Sequence, residues 1–299
     1  MAARRARLSS FTLHSAATAP GGKTNEDTYG VWPNGRAPRA AWVLDGVTGI
    51  NDRALLPGPT DAAWFVAQAQ ETLPALLAAT NDRPAPDLIA QLSDALRARQ
   101  DAAWLSPDGA AGHETPAASF VLCRQLGATI EIARLGDCLV LLEWMDGHIQ
   151  LLDDPALAAI EADLRVRILH LRAKGVADPA ATLTAMMPVL RDIRRRRNVA
   201  GGYGVLTADR SCLDLLQADR FPAAELRSIL LVSDGYYRLV DVYGAMPDAE
   251  LLRRTCESGA EKMLAELRAI EAADPQGALH PRLKMADDAT ALLLRRVDD

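Results

Sequence analysis

Four short acidic segments, far apart along the chain, limit the folds that it can adopt. They are Asn25-Glu26-Asp27, Asp45-Gly46, Ser233-Asp234-Gly235 and Asp287-Asp288. Two of them follow strongly apolar runs, residues 40–44 and 229–232. An apolar run that closes on Asp-Gly is typical of a buried strand that carries a carboxylate to the edge of a sheet. We therefore expect these acidic side chains at strand ends.

Carboxylates at several strand ends predict a cation site. One Asp-Gly pair is ordinary turn chemistry, but a set spread over the whole length indicates that the carboxylates meet in space. Like charges crowd together only when something neutralises them, and a hard divalent cation is the usual partner of carboxylate oxygens. The sequence has no His or Cys cluster near the acidic segments, which disfavours zinc. The pattern thus predicts a site for Mg²⁺ or Mn²⁺.

Composition narrows the class of protein. The 299 residues are 49% hydrophobic, so the chain can bury a full core, and we expect one domain over residues 1–299. The net charge of −6, from 33 basic and 39 acidic residues, argues against a nucleic-acid partner. The four cysteines are widely separated, which fits buried thiols in a reducing compartment. The sequence lacks the run of about 20 apolar residues that spans a bilayer, so we expect a cytoplasmic protein with no membrane partner.

Hydrophobic spacing predicts mixed helical and strand structure. Helices are expected at 61–79, 87–104, 247–257 and 261–272, and Pro74 should kink or divide the first. Strands are expected at 29–32, 40–44, 119–124, 128–134, 139–144, 148–152, 229–232 and 290–297. The short joints between residues 119 and 152 predict that the four strands there form one antiparallel sheet. Residues 155–197, rich in Ala, Leu and Arg, predict a helical insertion.

The acidic segments occur in the order of the motifs of a known family. The matching pieces are Asn25-Glu26-Asp27, Val43-Leu44-Asp45-Gly46 followed by Gly49, Leu135-Gly136-Asp137, Leu231-Val232-Ser233-Asp234-Gly235 and Asp287-Asp288-Ala289-Thr290. Together they resemble the metal-dependent serine/threonine protein phosphatases, the type 2C or PPM family. The resemblance runs from about residue 20 to residue 297. Each piece alone is common in proteins, and the order of the five carries the resemblance.

The resemblance implies an α+β fold. It is a four-layer αββα sandwich, in which two antiparallel sheets are flanked by helix pairs and the metals lie in a cleft at one end. The helices at 61–79 and 87–104 would form one pair, and those at 247–257 and 261–272 the other. The family carries a variable flap after the Gly-Asp motif, and residues 153–205 occupy that place.

The resemblance also implies two cations, Mg²⁺ or Mn²⁺, and assigns their ligands. Asp45 would bridge the two ions, and the carbonyl of Gly46 would bind one of them. Asp234 and Asp287 would complete the protein ligands of the other ion. Asp137 would help Asp234 to bind a third ion, as in bacterial members, and whether a third ion binds stays open.

Two further carboxylates would act through water. Glu26 would hold metal-bound water, and Asp27 would support the same water network. With Asp45 and Asp234, they make up the implied catalytic set. Asp288 stands where Asn is commoner in the family, and we expect it behind the ligands rather than among them.

The chain departs from the family pattern at the expected phosphate-binding position. Many members have Arg four residues before the Glu of Asn-Glu-Asp, and Gly22 stands there. Lys23 is the nearest candidate to bind the phosphate, although a lysine cannot form a bidentate fork. Val47 follows Asp45-Gly46 where many eukaryotic members have His. These departures indicate a divergent, bacterial-type member.

The implied activity is hydrolysis of phosphoserine and phosphothreonine in proteins, by attack of a hydroxide that bridges two cations. Such an enzyme would act in signalling, and its expected substrates are targets of a bacterial serine/threonine kinase. Two alternatives stay open. One is a phosphatase fold that serves as an inactive or weakly active sensor or binding module, which Gly22 favours. The other is a phosphatase for small phosphoesters.

Overall fold

The computed structural model describes residues 10–47, 49, 53–80, 82–105 and 112–297. The strands are β1 Phe11–Ala19, β2 Asp27–Trp32, β3 Ala40–Gly46, β4 Ala117–Leu126, β5 Thr129–Leu135, β6 Leu139–Trp144, β7 Ile149–Leu152, β8 Leu206–Thr207, β9 Gln217–Pro222, β10 Leu226–Val232 and β11 Ala289–Arg296. The helices are α1 Asp61–Thr80, α2 Ala85–Ala103, α3 Pro155–Ala173, α4 Pro179–Arg195, α5 Asp234–Asp241, α6 Asp248–Ser258 and α7 Ala260–Ala273. Short 3₁₀ turns at Gly112–Glu114, Arg210–Leu215 and Ala223–Glu225 join some of them.

The strands form two antiparallel sheets. The first has the order β1-β11-β10-β6-β7, and the second has the order β2-β3-β4-β5-β9, with β8 paired to β4. The two sheets lie face to face. Alternate residues of β3 point in opposite directions. Ala41 and Val43 pack between the sheets, while Trp42 and Leu44 pack against helices. This alternation makes both faces of the strand apolar, which is why residues 40–44 read as one continuous hydrophobic run.

Helices cover the outer face of each sheet. Helices α1 and α2 pack on the second sheet, where Phe65 and Leu92 meet Phe120. Helices α5, α6 and α7 pack on the first sheet around Leu230 and Leu293. The result is the expected α+β sandwich with four layers in the order αββα, and this prediction is confirmed.

The four strands between residues 117 and 152 do not form the single sheet that their short joints predict. Strands β4 and β5 pair with each other in the second sheet, while β6 and β7 pair in the first. The chain crosses between the sheets at Gly136-Asp137-Cys138, where Gly136 has a φ of +89°. The short joint between β5 and β6 is therefore a crossing between the sheets and not a hairpin, and the prediction of one sheet is wrong.

Two local features also differ from expectation. Pro74 does not divide its helix, since α1 runs unbroken through it. Strand β1 has no counterpart in the prediction, because its residues are half-buried and mostly small or polar. The Gly-, Pro- and Asp-rich composition of residues 106–115 predicts a loop, and part of that segment lies outside the described residues. Within the described part of the chain, no helix is long and apolar enough to cross a membrane.

A buried ion pair locks three strands of the second sheet together. Arg124 on β4 lies directly opposite Glu131 on β5 and donates from Nε to its carboxylate at 2.6 Å. Glu131 also accepts from Arg220 on β9 at 2.8 Å. Arg124 and Glu131 are 1% and 2% exposed, so removing either partner would leave a buried charge uncompensated.

Candidate functional site

Three neighbouring strands bring polar side chains to one end of the second sheet. Asp27 begins β2 and lies opposite Asp45, which is near the end of β3. On the other side of β3, Asp45 lies opposite Ser119 of β4. The register of β2, β3 and β4 therefore sets these three residues in one row across the sheet.

The first sheet brings its acidic residues to the same place. Strand β10 ends at Val232, and Asp234 begins helix α5 immediately afterwards. Asp287 and Asp288 directly precede strand β11, which is the neighbour of β10. Asp137 lies in the crossing between β5 and β6. The acidic segments that are far apart in the sequence thus meet at one end of the sandwich, as their positions after apolar runs predict.

Glycines allow this close approach of chain segments. A β-carbon on Gly235 would lie 1.9 Å from the carbonyl oxygen of Asp288, and one on Gly46 would lie 2.7 Å from the carbonyl oxygen of Glu26. The backbone N–H of Gly46 donates to that same Glu26 oxygen at 2.9 Å. Any side chain at these positions would push the acidic segments apart.

Asp27 is buried without partners. It is 5% exposed, and among the described residues neither carboxylate oxygen has a hydrogen-bond partner of good geometry. Burial is the main cause that raises its pKa to about 8; the nearby Ser233 hydroxyl opposes the rise, and the charges of Asp234 and Asp288 add to it. A buried carboxylate without a donor is an uncompensated charge unless it is protonated or faces a cation.

The neighbouring carboxylates are perturbed in the same direction. Burial, and then the charges of Asp27 and Asp234, raise the pKa of Asp45 well above its ordinary value. Burial and the charge of Asp234 raise the pKa of Asp137 to about 6, while a hydrogen bond from Ser119 opposes that rise. Mutual repulsion of this kind is what a divalent cation relieves.

A carboxylate from helix α3 joins the group. Oxygens of Asp137, Asp234 and Glu161 all lie within 4.8 Å of one another. Glu161 belongs to α3, and burial together with the charges of Asp137 and Asp234 raises its pKa. The sequence analysis missed Glu161, because one acid on an Ala- and Leu-rich helix gives no local signal; only the packing of α3 brings it here.

Asp287 differs from the other predicted ligands because it already has cationic partners. Arg238 of α5 donates to one of its oxygens at 2.5 Å, and Lys284 donates to the other at 2.7 Å. Arg238 and Asp287 are both 12% exposed, so this ion pair is largely shielded from water. The sequence analysis missed Arg238 as well. Its position, one turn after Asp234 on the same helix, is the signal that could have found it.

Asp288 holds the segment that carries Glu26. Its carboxylate accepts from the backbone N–H of Gly21 at 2.7 Å and from that of Glu26 at 2.6 Å. Glu26 itself is 7% exposed. The carboxylate of Asp288 is thus engaged by the backbone, which agrees with the expectation that it lies behind the ligands.

A cavity of about 750 Å³ opens beside the carboxylates. Asp45, Gly46, Asp137, Asp234 and Asp287 line one end of it, and helices α3 and α4 form much of the remaining wall. The basic residues on its wall are Arg165, Arg194, Arg238, Arg282 and Lys284. Lys23 is exposed and is not among the described residues that line the cavity.

The residues present fit divalent cations. The donor set consists of carboxylate oxygens and the Gly46 carbonyl, which are ligands that Mg²⁺ and Mn²⁺ prefer. Two observations indicate crowded negative charge at this end of the cavity. The carboxylate of Asp27 has no hydrogen-bond partner among the described residues, and the pKa values of Asp45 and Asp137 are raised.

Solved structures of bacterial serine/threonine phosphatases share this fold. The serine/threonine phosphatase Stp1 from Staphylococcus aureus is 16% identical, with a TM-score of 0.54, and the match covers 100% of both chains. PppA, a regulatory component of T6SS in Pseudomonas aeruginosa, is 17% identical over 96% of this chain and 100% of its own, with a TM-score of 0.55.

A third similar structure is the serine/threonine phosphatase PstP/Ppp of Mycobacterium tuberculosis. It is 18% identical over 95% of this chain and 98% of its own, with a TM-score of 0.52. Compared with protein-family models and with curated protein sequences, the chain has no match. At these identities the likeness establishes the fold, and the chemistry has to be argued from the side chains.

Proposed function

We propose that this protein is a Mg²⁺- or Mn²⁺-dependent phosphoprotein phosphatase that hydrolyses phosphoserine and phosphothreonine. The observation that carries the proposal is the cluster of Asp45, Asp137 and Asp234 on the wall of a cavity, at the end of a sandwich with a phosphatase fold. Its substrate would be a phosphorylated protein, such as the target of a bacterial serine/threonine kinase, and its role would be in signalling.

Asp45, the Gly46 carbonyl, Asp234 and Asp287 would hold two cations, and Asp137 would contribute to a third with Asp234. Glu26 would act through water at the same ions. Bound divalent cations supply Lewis-acid polarisation of the phosphoryl oxygens and a lowered pKa for a bound water.

The chain's own side chains position this set. Ser119 orients Asp137 by a hydrogen bond, and the carboxylate of Asp288 fixes the backbone beside Glu26. The basic residues Arg194 and Lys284 lie on the cavity wall, where they can pair with phosphoryl oxygens. Lys23 stays a prediction as a phosphate-binding residue, and from the exposed loop it would have to reach into the cavity mouth.

The alternative of a binding module has one structural observation in its favour. Asp287, a predicted ligand, is already neutralised by Arg238 and Lys284, so one cation site has competition from within the protein. The clustered Asp45, Asp137 and Asp234 favour the enzyme, because a fold that needs no metal gains nothing from three crowded carboxylates.

The deciding experiment is hydrolysis of an aryl phosphate and of a phosphothreonine peptide with EDTA, Mg²⁺ or Mn²⁺. We expect turnover that depends on the metal and falls by about a thousandfold in Asp234→Asn, because that change removes a charged ligand. Asp163→Asn, which replaces an exposed carboxylate on α3, is the matched control and should keep full activity. Absence of turnover with either metal, in a folded protein, would leave the binding module as the better hypothesis. Turnover of small phosphoesters alone would instead favour a metabolite phosphatase.

A further inference from the structure

The cavity is much larger than a phosphate group requires, and most of the extra wall is apolar. Its volume of about 750 Å³ lies in the range of pockets that enclose whole organic ligands, roughly 300–1,000 Å³. The carboxylates occupy one end. The body is lined from the insertion by Leu157, Leu164, Ile168, Leu183, Met187 and Leu190.

These apolar residues form one continuous face. Leu157, Leu164 and Ile168 recur at intervals of seven and four along α3, so they lie on one side of that helix. Leu183, Met187 and Leu190 recur at intervals of four and three along α4. The insertion therefore turns an apolar surface toward the cavity directly beside Asp137 and Asp234, where the reacting phosphate would lie.

Charged groups interrupt the apolar wall, and they restrict what can fill the cavity. Arg165 of α3 pairs with Asp241 of α5 at 3.2 Å, and Asp153 and Arg282 also line the space. A plain hydrocarbon chain would desolvate Asp153 and the Arg165–Asp241 ion pair without offering either a hydrogen bond, which is costly. A peptide can pack apolar side chains on the leucines and offer backbone N–H and C=O groups to the charges.

We propose that the cavity binds the residues next to the phosphorylated one, and that its preferred substrates are phosphopeptides with a large apolar side chain, such as Leu or Met, close to the phosphate. This inference rests on the proposed function, since it places the phosphate at the carboxylate end. The apolar neighbour packs against the α3–α4 face and leaves water, and this removal of apolar surface from water favours binding.

The test compares phosphothreonine peptides that differ at one position, with Leu, Ala or Asn at each of the three residues on either side. With Mn²⁺ present, we expect kcat/KM for the Leu peptide to exceed that of the Asn peptide by about tenfold at one or more positions, mainly through KM. Equal values at every position would overturn the inference. An alkyl phosphate that outcompetes every peptide would overturn it too.

Variants of the insertion locate the preference. Leu190→Asn should reduce the Leu-over-Asn ratio to about threefold or less, because it places a polar group on the apolar face. Leu183→Asn should act in the same direction, and since Leu183 is 43% exposed its replacement removes little burial and should not unfold the protein. Leu169→Asn is the matched control, because Leu169 is 54% exposed and does not line the cavity. An unchanged ratio in both cavity variants would contradict the assignment.

A binding measurement separates this inference from the proposed function. Non-hydrolysable phosphonate versions of the Leu and Asn peptides can be titrated into the protein by calorimetry, with no need for turnover. Tighter binding of the Leu version without any hydrolysis would support the inference and contradict the phosphatase. Hydrolysis of aryl phosphate, with no difference between the Leu and Asn peptides in either assay, would support the phosphatase and contradict the inference.

Discussion

Gly22 stands where many members of the resembled phosphatase family have Arg, and the structure leaves room for a side chain there. A β-carbon there would have no heavy atom within 4 Å, and its φ is outside the left-handed region. We predict that Gly22→Arg lowers KM for a phosphothreonine peptide and raises kcat/KM by about tenfold, because a guanidinium can bind phosphate through two hydrogen bonds.

Steady-state kinetics with Mn²⁺ check this prediction, and Gly22→Ala is the control for loss of the glycine itself. Gly22→Ala should match the wild type, since the site is open. If Gly22→Arg behaves like Gly22→Ala, the phosphate does not bind within reach of residue 22. Phosphate binding would then be assigned to the basic residues on the cavity wall and not to Lys23.

Asp27 should make the stability of the metal-free protein depend on pH. The pKa of Asp27 is about 8 in the folded protein and has its ordinary value of 3.8 in the unfolded chain. Between these two pH values the folded state holds a proton that the unfolded state has lost. The stabilisation is complete below about pH 4 and disappears as the pH rises through about 8. Asn mimics the protonated form. We predict that Asp27→Asn is more stable than the wild type by about 2 kcal/mol near pH 8.5, with a much smaller difference near pH 5.

Urea unfolding in EDTA at the two pH values measures this difference. Asp163→Asn serves as a control, because Asp163 is exposed and its replacement should give the same difference at both pH values. A variant Asp27→Asn that is equally stable or less stable at the higher pH would show that the buried carboxylate has a partner in solution that keeps it ionised.

Among the elements, helix α5 depends on a glycine at its second residue. Asp234 and Gly235 begin the helix, and the carbonyl of Asp288 lies where a β-carbon of residue 235 would be. We predict that Gly235→Ala destabilises the protein by about 3 kcal/mol and lowers metal affinity, because the helix start and the Asp287–Asp288 segment must separate. Denaturant unfolding and a Mn²⁺ titration measure both effects. Gly22→Ala is the matched control, and an equal effect of the two substitutions would contradict the steric argument.

The strands that deliver Asp45 and Asp234 could be predicted from the sequence, and the reason is burial. Both β3 and β10 lie in the middle of a sheet with apolar contacts on both faces, so they read as unbroken hydrophobic runs that stop at an acid. Strand β1 could not be found in this way. It lies at a sheet edge, next to β11 alone, and only two of its nine residues are buried.

Side chains brought in by packing could not be predicted either. Glu161 reaches the carboxylates because α3 lies over the cavity, and Arg238 reaches Asp287 because α5 runs beside the segment before β11. The Glu161 contact leaves no mark in local spacing, and the position of Arg238 one turn after Asp234 does not reveal that its partner is Asp287. Conversely, the sequence motifs suggested Lys23 for phosphate binding, but a motif position says nothing about exposure, and the structure leaves this side chain outside the cavity lining among the residues it describes.

For the molecule as a whole, cation binding and folding should be linked. At the site end, Asp45 of the second sheet and Asp234, which follows the first sheet, repel each other. An ion held between these two carboxylates would draw the sheets together. We predict that Mn²⁺ raises Tm by several degrees, since a ligand at a hundredfold excess over its Kd stabilises the folded state by about 2.7 kcal/mol. Thermal unfolding with EDTA or Mn²⁺ measures the shift.

The same shift should be lost in Asp45→Asn and in Asp234→Asn, and kept in Asp163→Asn. A potassium salt at equal ionic strength controls for screening of the carboxylates, which would stabilise the protein without any specific site. An equal rise in Tm with potassium, or a full rise in both ligand variants, would contradict binding at the predicted residues.

The ion pairs of Asp287 have a kinetic consequence. A cation that uses this carboxylate would compete with Arg238 and Lys284 for its oxygens, so we expect its capture to be slower than it would be at an unpaired Asp287. The two ions would therefore load in sequence, a fast one and a slow one, and brief changes in free cation concentration would alter the occupancy of the first alone. If both ions bind, the protein would respond to how long a cation is supplied as well as to how much.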